Sequence, residues 1–123
     1  MQLDKLCVAC FSPTHTSMKI ARAIADGTHI ARREEIDLTT DPADTPIAVR
    51  NTICIVAAPV YGGLVAPVAV RRIARLRAEN SIAIPVVVYG NRDYEDALVQ
   101  LRDLLHAQGF TPLCGAAFVG EHS

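Results

Sequence analysis

Six consecutive residues, Ser12-Pro13-Thr14-His15-Thr16-Ser17, carry four hydroxyls and an imidazole. They follow the apolar stretch Leu6 to Phe11 and precede residues with helical spacing. Small hydroxyls and free backbone N–H groups at a helix N-terminus form a nest for a phosphate, and the helix dipole adds its positive end. There is no Walker lysine and no G-x-G-x-x-G, so the loop belongs neither to a nucleotide triphosphatase nor to a dinucleotide site. A phosphate held by hydroxyls and amides suits a phosphomonoester, and flavin mononucleotide (FMN) is the leading candidate. The competing explanation is a plain helix cap by Ser12 and Thr14, since Ser and Thr are common at helix starts. His15 either adds positive charge at the phosphate or faces solvent.

Two further segments share features that a plain connector does not need. One is Ala58-Pro59-Val60-Tyr61-Gly62-Gly63-Leu64; the other is Tyr89-Gly90-Asn91-Arg92-Asp93-Tyr94. They contain all three tyrosines of a chain with only 5% aromatics. Tyr61 and Tyr94 are expected on loops, where an exposed phenol can stack on a flat heteroaromatic ring. Alternatively each ring covers the loop beneath it. Tyr89 ends a strand and is expected to be packed. Gly62-Gly63 allows a peptide to lie close to a ring and reorient, because glycine tolerates positive φ. Arg92 is placed either near a flavin edge, favouring its anionic reduced form, or in water. Asp93 fits an N-cap of the helix that follows.

Other chemistry is not supported. His29, His106 and His122 have no ligand spacing, so no metal is expected. Cys7 and Cys10 form a C-x-x-C. Both lie inside the first strand, where residues three apart point to opposite faces. They are expected to be buried structural thiols.

These segments need a scaffold, and the chain's bulk properties allow one. Its 123 residues fit one domain, residues 1–123, and 50% hydrophobic content supports a core. A net charge of −1 gives nucleic acid no electrostatic handle. No apolar run reaches the ~20 residues of a membrane span. The N-terminus does not have the pattern of a signal peptide. The expected location is the cytoplasm.

Strand and helix signals alternate. Strands are expected over Leu6 to Phe11, Ile30 to Leu38, Thr52 to Ala58, Ile84 to Tyr89 and about Thr111 to Val119. The second is polar and so belongs near an edge. A helix over Ser17 to Asp26 buries Met18, Ala21 and Ala25 and stops at Gly27. Residues Ile47 to Asn51 allow only a short helix. Pro59 to Ala66 is expected to be a loop, with Pro67 opening a helix whose core stripe is Ala69, Ile73 and Leu76. Arg71, Arg72, Arg75 and Arg77 then form its solvated face. A last helix runs from Tyr94 to about Gln108, buries Ala97, Leu101, Leu104 and Leu105, and is capped by Gly109. This alternation predicts an α/β sandwich with a parallel sheet and right-handed crossovers. The strand order 2-1-3-4-5 sets the polar strand at an edge. Ligands of such sheets bind beyond the strands' carboxyl ends, where the order reverses, and the three segments meet there.

At these motifs the chain resembles the flavodoxins, most closely the flavodoxin half of ferredoxin-fused flavodoxin-like proteins. The resemblance rests on Phe11-Ser12-Pro13-Thr14-His15-Thr16-Ser17, Pro59-Val60-Tyr61-Gly62-Gly63, Tyr89-Gly90-Asn91-Arg92-Asp93-Tyr94-Glu95-Asp96-Ala97 and Phe118-Val119-Gly120-Glu121-His122-Ser123. It implies a flavodoxin-like three-layer sandwich holding FMN without a covalent bond. Ser12, Thr14 and Ser17 match the family's phosphate pattern S/T-x-T-G-x-T, with His15 in place of its glycine. Tyr61 and Tyr94 fall in the two ring-flanking loops. The C-x2-C-x2-C-x3-C run of a ferredoxin segment is absent, as is a fifth helix after the last strand.

The function expected is electron transfer between redox partners, such as a ferredoxin or a reductase, with the flavin doing the chemistry and no catalytic side chain. The alternative is an NAD(P)H-dependent FMN or quinone reductase. A signalling receiver domain shares the strand order but needs acidic residues where Ser12-Pro13 and Ala58-Pro59 stand. A cofactor-free binding module is the remaining alternative. Without a fifth helix, one side of the last strand would be wet, which predicts self-association or partner docking there.

Overall fold

Burial of both faces of one strand organises the molecule. Leu6, Val8, Ala9 and Cys10 have no exposed surface in the strand β1 (Lys5–Cys10). Only a central strand with layers on both sides can hide such a run. The structure is a computed structural model that describes residues 3–40, 44–89, 95–113 and 115–119.

β1 lies between β2 (Arg32–Asp37) and β4 (Thr52–Tyr61), parallel to both. β7 (Ile82–Tyr89) continues the sheet beyond β4, and β8 (Thr111–Pro112) and β9 (Ala116–Val119) both pair with β7. The order β2-β1-β4-β7-β8 is the one expected from the sequence, with the expected last strand divided in two. β2 is almost wholly exposed, as an edge strand can be.

Three helices among the described residues sandwich this sheet. α1 (Thr16–Thr28) packs Met18, Ala21 and Ala25 on the face formed by Leu6, Val8, Cys10, Ile55, Ala57 and Val86. α2 (Pro67–Ile73) and α3 (Glu95–Ala107) cover the opposite face, where Cys7, Ala9, Cys54, Val56 and Val87 meet Ala69, Ile73, Ala97, Leu101 and Leu105. Burying each large aliphatic side chain contributes about 1.5–3 kcal/mol, against about 1 kcal/mol for a typical hydrogen bond. Packing therefore sets the layer order, and polar contacts set the loops.

Several expectations are corrected. α1 runs through Gly27 to Thr28, and His29 in the left-handed region (φ 57) ends it. The anticipated short helix at Ile47 to Asn51 is instead β3 (Ile47–Arg50), which pairs in parallel with β6 (Leu76–Glu79) in a separate two-stranded sheet. α2 stops at Ile73, so Leu76 reaches the core from β6. Arg72 and Arg75 do not belong to a solvated face: Arg75 is buried, donating from Nε to Thr45 O (3.0 Å), and Arg72 donates to two backbone carbonyls. Gln108 stitches the turn after α2 to the end of α3, donating from Nε2 to Ala74 O and Leu76 O. Gly109 ends α3 at φ +99, where any Cβ would strike the Ala78 carbonyl.

The C-x-x-C divides as expected. Cys7 packs on the α2/α3 face and Cys10 on the α1 face. Burial pushes the Cys10 thiol from 9.0 up to about 12. The Cys54 thiol is likewise pushed up by its hydrogen bond with Cys7 and by burial. At the exposed edge, Arg22 of α1 makes a two-pronged ion pair with Glu35 of β2 (2.8 Å each), and this bond holds the Glu35 carboxyl below its ordinary value.

Cys7, Cys10 and Cys54 are expected to resist alkylation by iodoacetamide at pH 8 in the native protein and to react once it is unfolded. Because folding favours the protonated Cys10, its contribution is full below pH 9.0 and is lost as the pH rises toward 12. Peptide mass mapping checks the first outcome and denaturant melts across that window the second. Rapid native alkylation of Cys10 would contradict the packing described.

Candidate functional site

β1 and β4 stay in register up to the pair Cys10 and Ala57, and Phe11 still donates to Ala57 O (3.1 Å). Beyond this point the chains part to opposite faces. β1 turns toward α1, while β4 continues into a hairpin on the side of α2. The strand order reverses here, which is where sheets of this kind place a ligand crevice, at the carboxyl end of the strands.

The loop of residues 12–15 forms one wall. Ser12 is buried, and its amide and hydroxyl are both engaged within the protein: its N–H donates to Thr39 Oγ1 (2.8 Å) and its Oγ accepts from Met18 N–H (3.1 Å). The second bond is a helix cap, delivered from outside the helix. His15, at the N-cap itself, makes no side-chain cap bond. Its N–H donates to Ser12 O (3.1 Å) and its carbonyl accepts from Lys19 N–H (3.0 Å), closing the turn.

This arrangement leaves the N–H groups of Thr14, Thr16 and Ser17 uncommitted among the described residues. Thr14 and Thr16 share only a long hydroxyl contact of 3.4 Å. Residues 12–17 contain no carboxylate. Uncommitted donors at the N-terminus of a 13-residue helix, free of negative charge, fit an anion. His15 has φ 66 and ψ −2, the left-handed conformation that glycine adopts without strain. Histidine takes it at a cost of about 1 kcal/mol.

The other wall differs from the loop expected over Pro59 to Ala66. β4 runs on through Pro59, Val60 and Tyr61, and pairs antiparallel with β5 (Leu64–Val65). Gly62 and Gly63 form the two-residue turn, both at positive φ (61 and 84). Tight hairpins require that geometry, which explains the Gly-Gly pair. The hairpin is held against α3 by Val65 N–H donating to Gln100 Oε1 (2.9 Å). Tyr61 at its tip is 58% exposed, and Leu64 and Val68 beside it are also exposed. Tyr89 is half-buried at the end of β7, as expected. Gly90, Asn91, Arg92, Asp93 and Tyr94, the third expected segment, lie outside the described residues.

An open concavity of about 370 Å³ lies at the opposite end of the sheet, lined by Asp4, Lys5, Arg32, Arg50 and Asn51. Its cations already have acidic partners: Lys5 with Glu34 (2.8 Å), Arg32 with Asp4 (3.9 Å) and Arg50 with Glu79 (3.4 Å). The strands begin there, so it lacks the diverging loops of the carboxyl end. Among the described residues no cluster of His, Cys, Asp and Glu could hold a metal ion, and no helix is long and apolar enough to cross a membrane.

Neither a family model nor a curated protein sequence matches the chain. Solved structures do. An NADH:FMN oxidoreductase, EMOB, in its apo form superposes with a TM-score of 0.73 at 19% identity, over 94% of this chain and 75% of that one. The flavodoxin of Streptococcus pneumoniae gives 0.66 at 18% identity, over 96% of this chain and 86% of that one. A flavoprotein of Lactobacillus acidophilus, solved in complex with FMN, gives 0.58 at 14% identity, over 92% of each chain.

Substitutions at His15 test the loop geometry without any ligand. His15→Val, β-branched at positive φ, is expected to lower stability by roughly 1–2 kcal/mol. His15→Gly should stay within about 0.5 kcal/mol, since relief of strain offsets the added freedom of the unfolded chain. Urea denaturation checks both; equal stability of the valine and glycine variants would contradict the left-handed turn.

Proposed function

We propose, on a fold that these likenesses show to be flavodoxin-like, that the chain binds FMN at the carboxyl end of its sheet and carries electrons between redox partner proteins. The observation that carries this is the set of uncommitted donors at the start of α1, beside the crevice where β1 and β4 part. Thr14, Thr16 and Ser17 would hold the phosphate through amides and hydroxyls and His15 through its imidazole, while Ser12 and Pro13 shape the turn. Pro59, Val60, Tyr61, Gly62 and Gly63 would line one side of the ring, with Tyr61 stacking on it. Gly90, Asn91, Arg92, Asp93 and Tyr94 would flank the other side.

When bound, the flavin supplies the redox chemistry. The chain's own part is to place the ring at the sheet edge, shield one side of it and present donors to the phosphate. None of these tasks needs a side chain to act as acid or base. Exposed Tyr61, Leu64 and Val68 would give a partner an apolar landing beside the ring. The expected association through the last strand stays a proposal, supported by Leu113, which is 47% exposed.

The likeness to the NADH:FMN oxidoreductase favours a second possibility, a reductase that takes hydride from a nicotinamide cofactor. Steady-state oxidation of NADH or NADPH by the FMN-loaded protein separates the two: a carrier turns over only when a partner reductase is present.

Calorimetric titration with FMN and with riboflavin tests the phosphate site. Each hydrogen bond to a charged oxygen contributes about 1.5–3 kcal/mol, so FMN is expected to bind at least tenfold more tightly. Equal affinities would remove the residue 12–17 loop from the site.

A further inference from the structure

The β1–β2 ladder ends one bond early, and that early end shapes the loop. In a parallel pair, a residue's N–H and C=O bond to two residues of the neighbouring strand that lie two apart. Leu38 follows β2 and begins such a pair: its N–H donates to Cys10 O (2.9 Å). Its carbonyl should then accept from Ser12 N–H. It does not. Leu38 O accepts instead from Arg72 Nη1 (3.0 Å), and the same nitrogen also reaches Thr39 O (3.1 Å). Ser12 N–H turns to the Thr39 hydroxyl (2.8 Å). Thr39 is itself oriented by donating its N–H to Asp37 Oδ1 (2.8 Å).

We propose that Thr39 and Arg72 are positioning residues of the anion loop, which divert Ser12 from the ladder and so set the chain's preference for phosphorylated over unphosphorylated flavin. Neither residue lies in the loop: Thr39 follows β2, and Arg72 projects from α2 on the far side of the sheet. Leu38 is fully buried and Ser12 nearly so, so their polar groups need protein partners. Arg72 satisfies the carbonyl and the Thr39 hydroxyl satisfies the amide. With Ser12 held this way, its Oγ meets Met18 N–H, and the N–H donors of Thr14, Thr16 and Ser17 stay clear of acceptors among the described residues. Were the ladder bond to form, Ser12 would be drawn along β2 and the turn into α1 would shift with it. The inference rests on the FMN assignment above and adds the residues that determine its selectivity.

The test compares Thr39→Val, which keeps the shape and removes the hydroxyl, with Thr39→Ser, which keeps the hydroxyl. FMN and riboflavin affinities are measured for each, together with hydrogen exchange at the Ser12 amide in the flavin-free protein. Thr39→Val is expected to weaken FMN about tenfold, to leave riboflavin unchanged and to speed Ser12 exchange, as loss of one hydrogen bond to a buried group implies. Thr39→Ser should behave like the parent. Arg72→Met, freeing Leu38 O, should reproduce the selective loss of FMN binding. An unchanged FMN-to-riboflavin ratio in Thr39→Val, or an equal loss of both ligands, overturns the assignment even where the parent prefers FMN. A parent that binds both alike instead overturns the phosphate site itself, and this inference with it.

Discussion

The parallel pairing of β1 with β4 is the constraint on which the rest depends. Both strands are apolar on both faces, so each must lie inside the sheet with a helical layer above and below. Parallel neighbours cannot be joined by a tight turn, so the chain crosses over between them. The crossovers leave from the carboxyl ends toward opposite faces, α1 to one side and the β4–β5 hairpin with α2 to the other. Such a divergence is where doubly wound sheets place a ligand crevice.

The polar detail at the crevice is a consequence of where the ladders stop. β1 keeps its bond to β4 through Phe11 but loses its partner on β2 at Ser12. Side chains from three separate segments, Ser12, Thr39 and Arg72, take over where backbone pairing ends. Once their groups are matched to one another, the N–H donors of Thr14, Thr16 and Ser17 have no acceptor among the described residues. The same logic distinguishes the two ends of the sheet: at the amino end Lys5, Arg32 and Arg50 have carboxylate partners, whereas at the carboxyl end the N–H groups of Thr14, Thr16 and Ser17 have no acceptor among the described residues.

Much of this was legible in the sequence because it depends on local pattern. Unbroken apolar runs marked β1, β4 and β7, Pro67 marked the first turn of α2, and the run of hydroxyls marked the turn into α1. The errors came where tertiary contacts override local pattern. Ala69, Ile73 and Leu76 have helical spacing, yet Leu76 is delivered to the core by a strand. Gln108, thirty residues on in sequence, accepts from Ala78 N–H and donates to Leu76 O, which draws that segment out of helix. Arg75 looked solvated because nothing local shows that the Thr45 carbonyl needs a donor. Pro59 suggested a loop, but its carbonyl lies in a hairpin whose turn the Gly62-Gly63 pair makes possible. The positive φ of His15 was visible only as a glycine position of the resembled motif. The roles of Thr39 and Arg72 were hidden, since a broken ladder bond leaves no mark in sequence.

The most direct test of an FMN site at the carboxyl end is spectroscopic. The purified protein is mixed with FMN, desalted, and its visible absorption recorded. The account predicts flavin bands eluting with the protein, shifted from those of free FMN by a ring held against Tyr61. A protein fraction without visible absorption, with all the FMN among the small molecules, would contradict it.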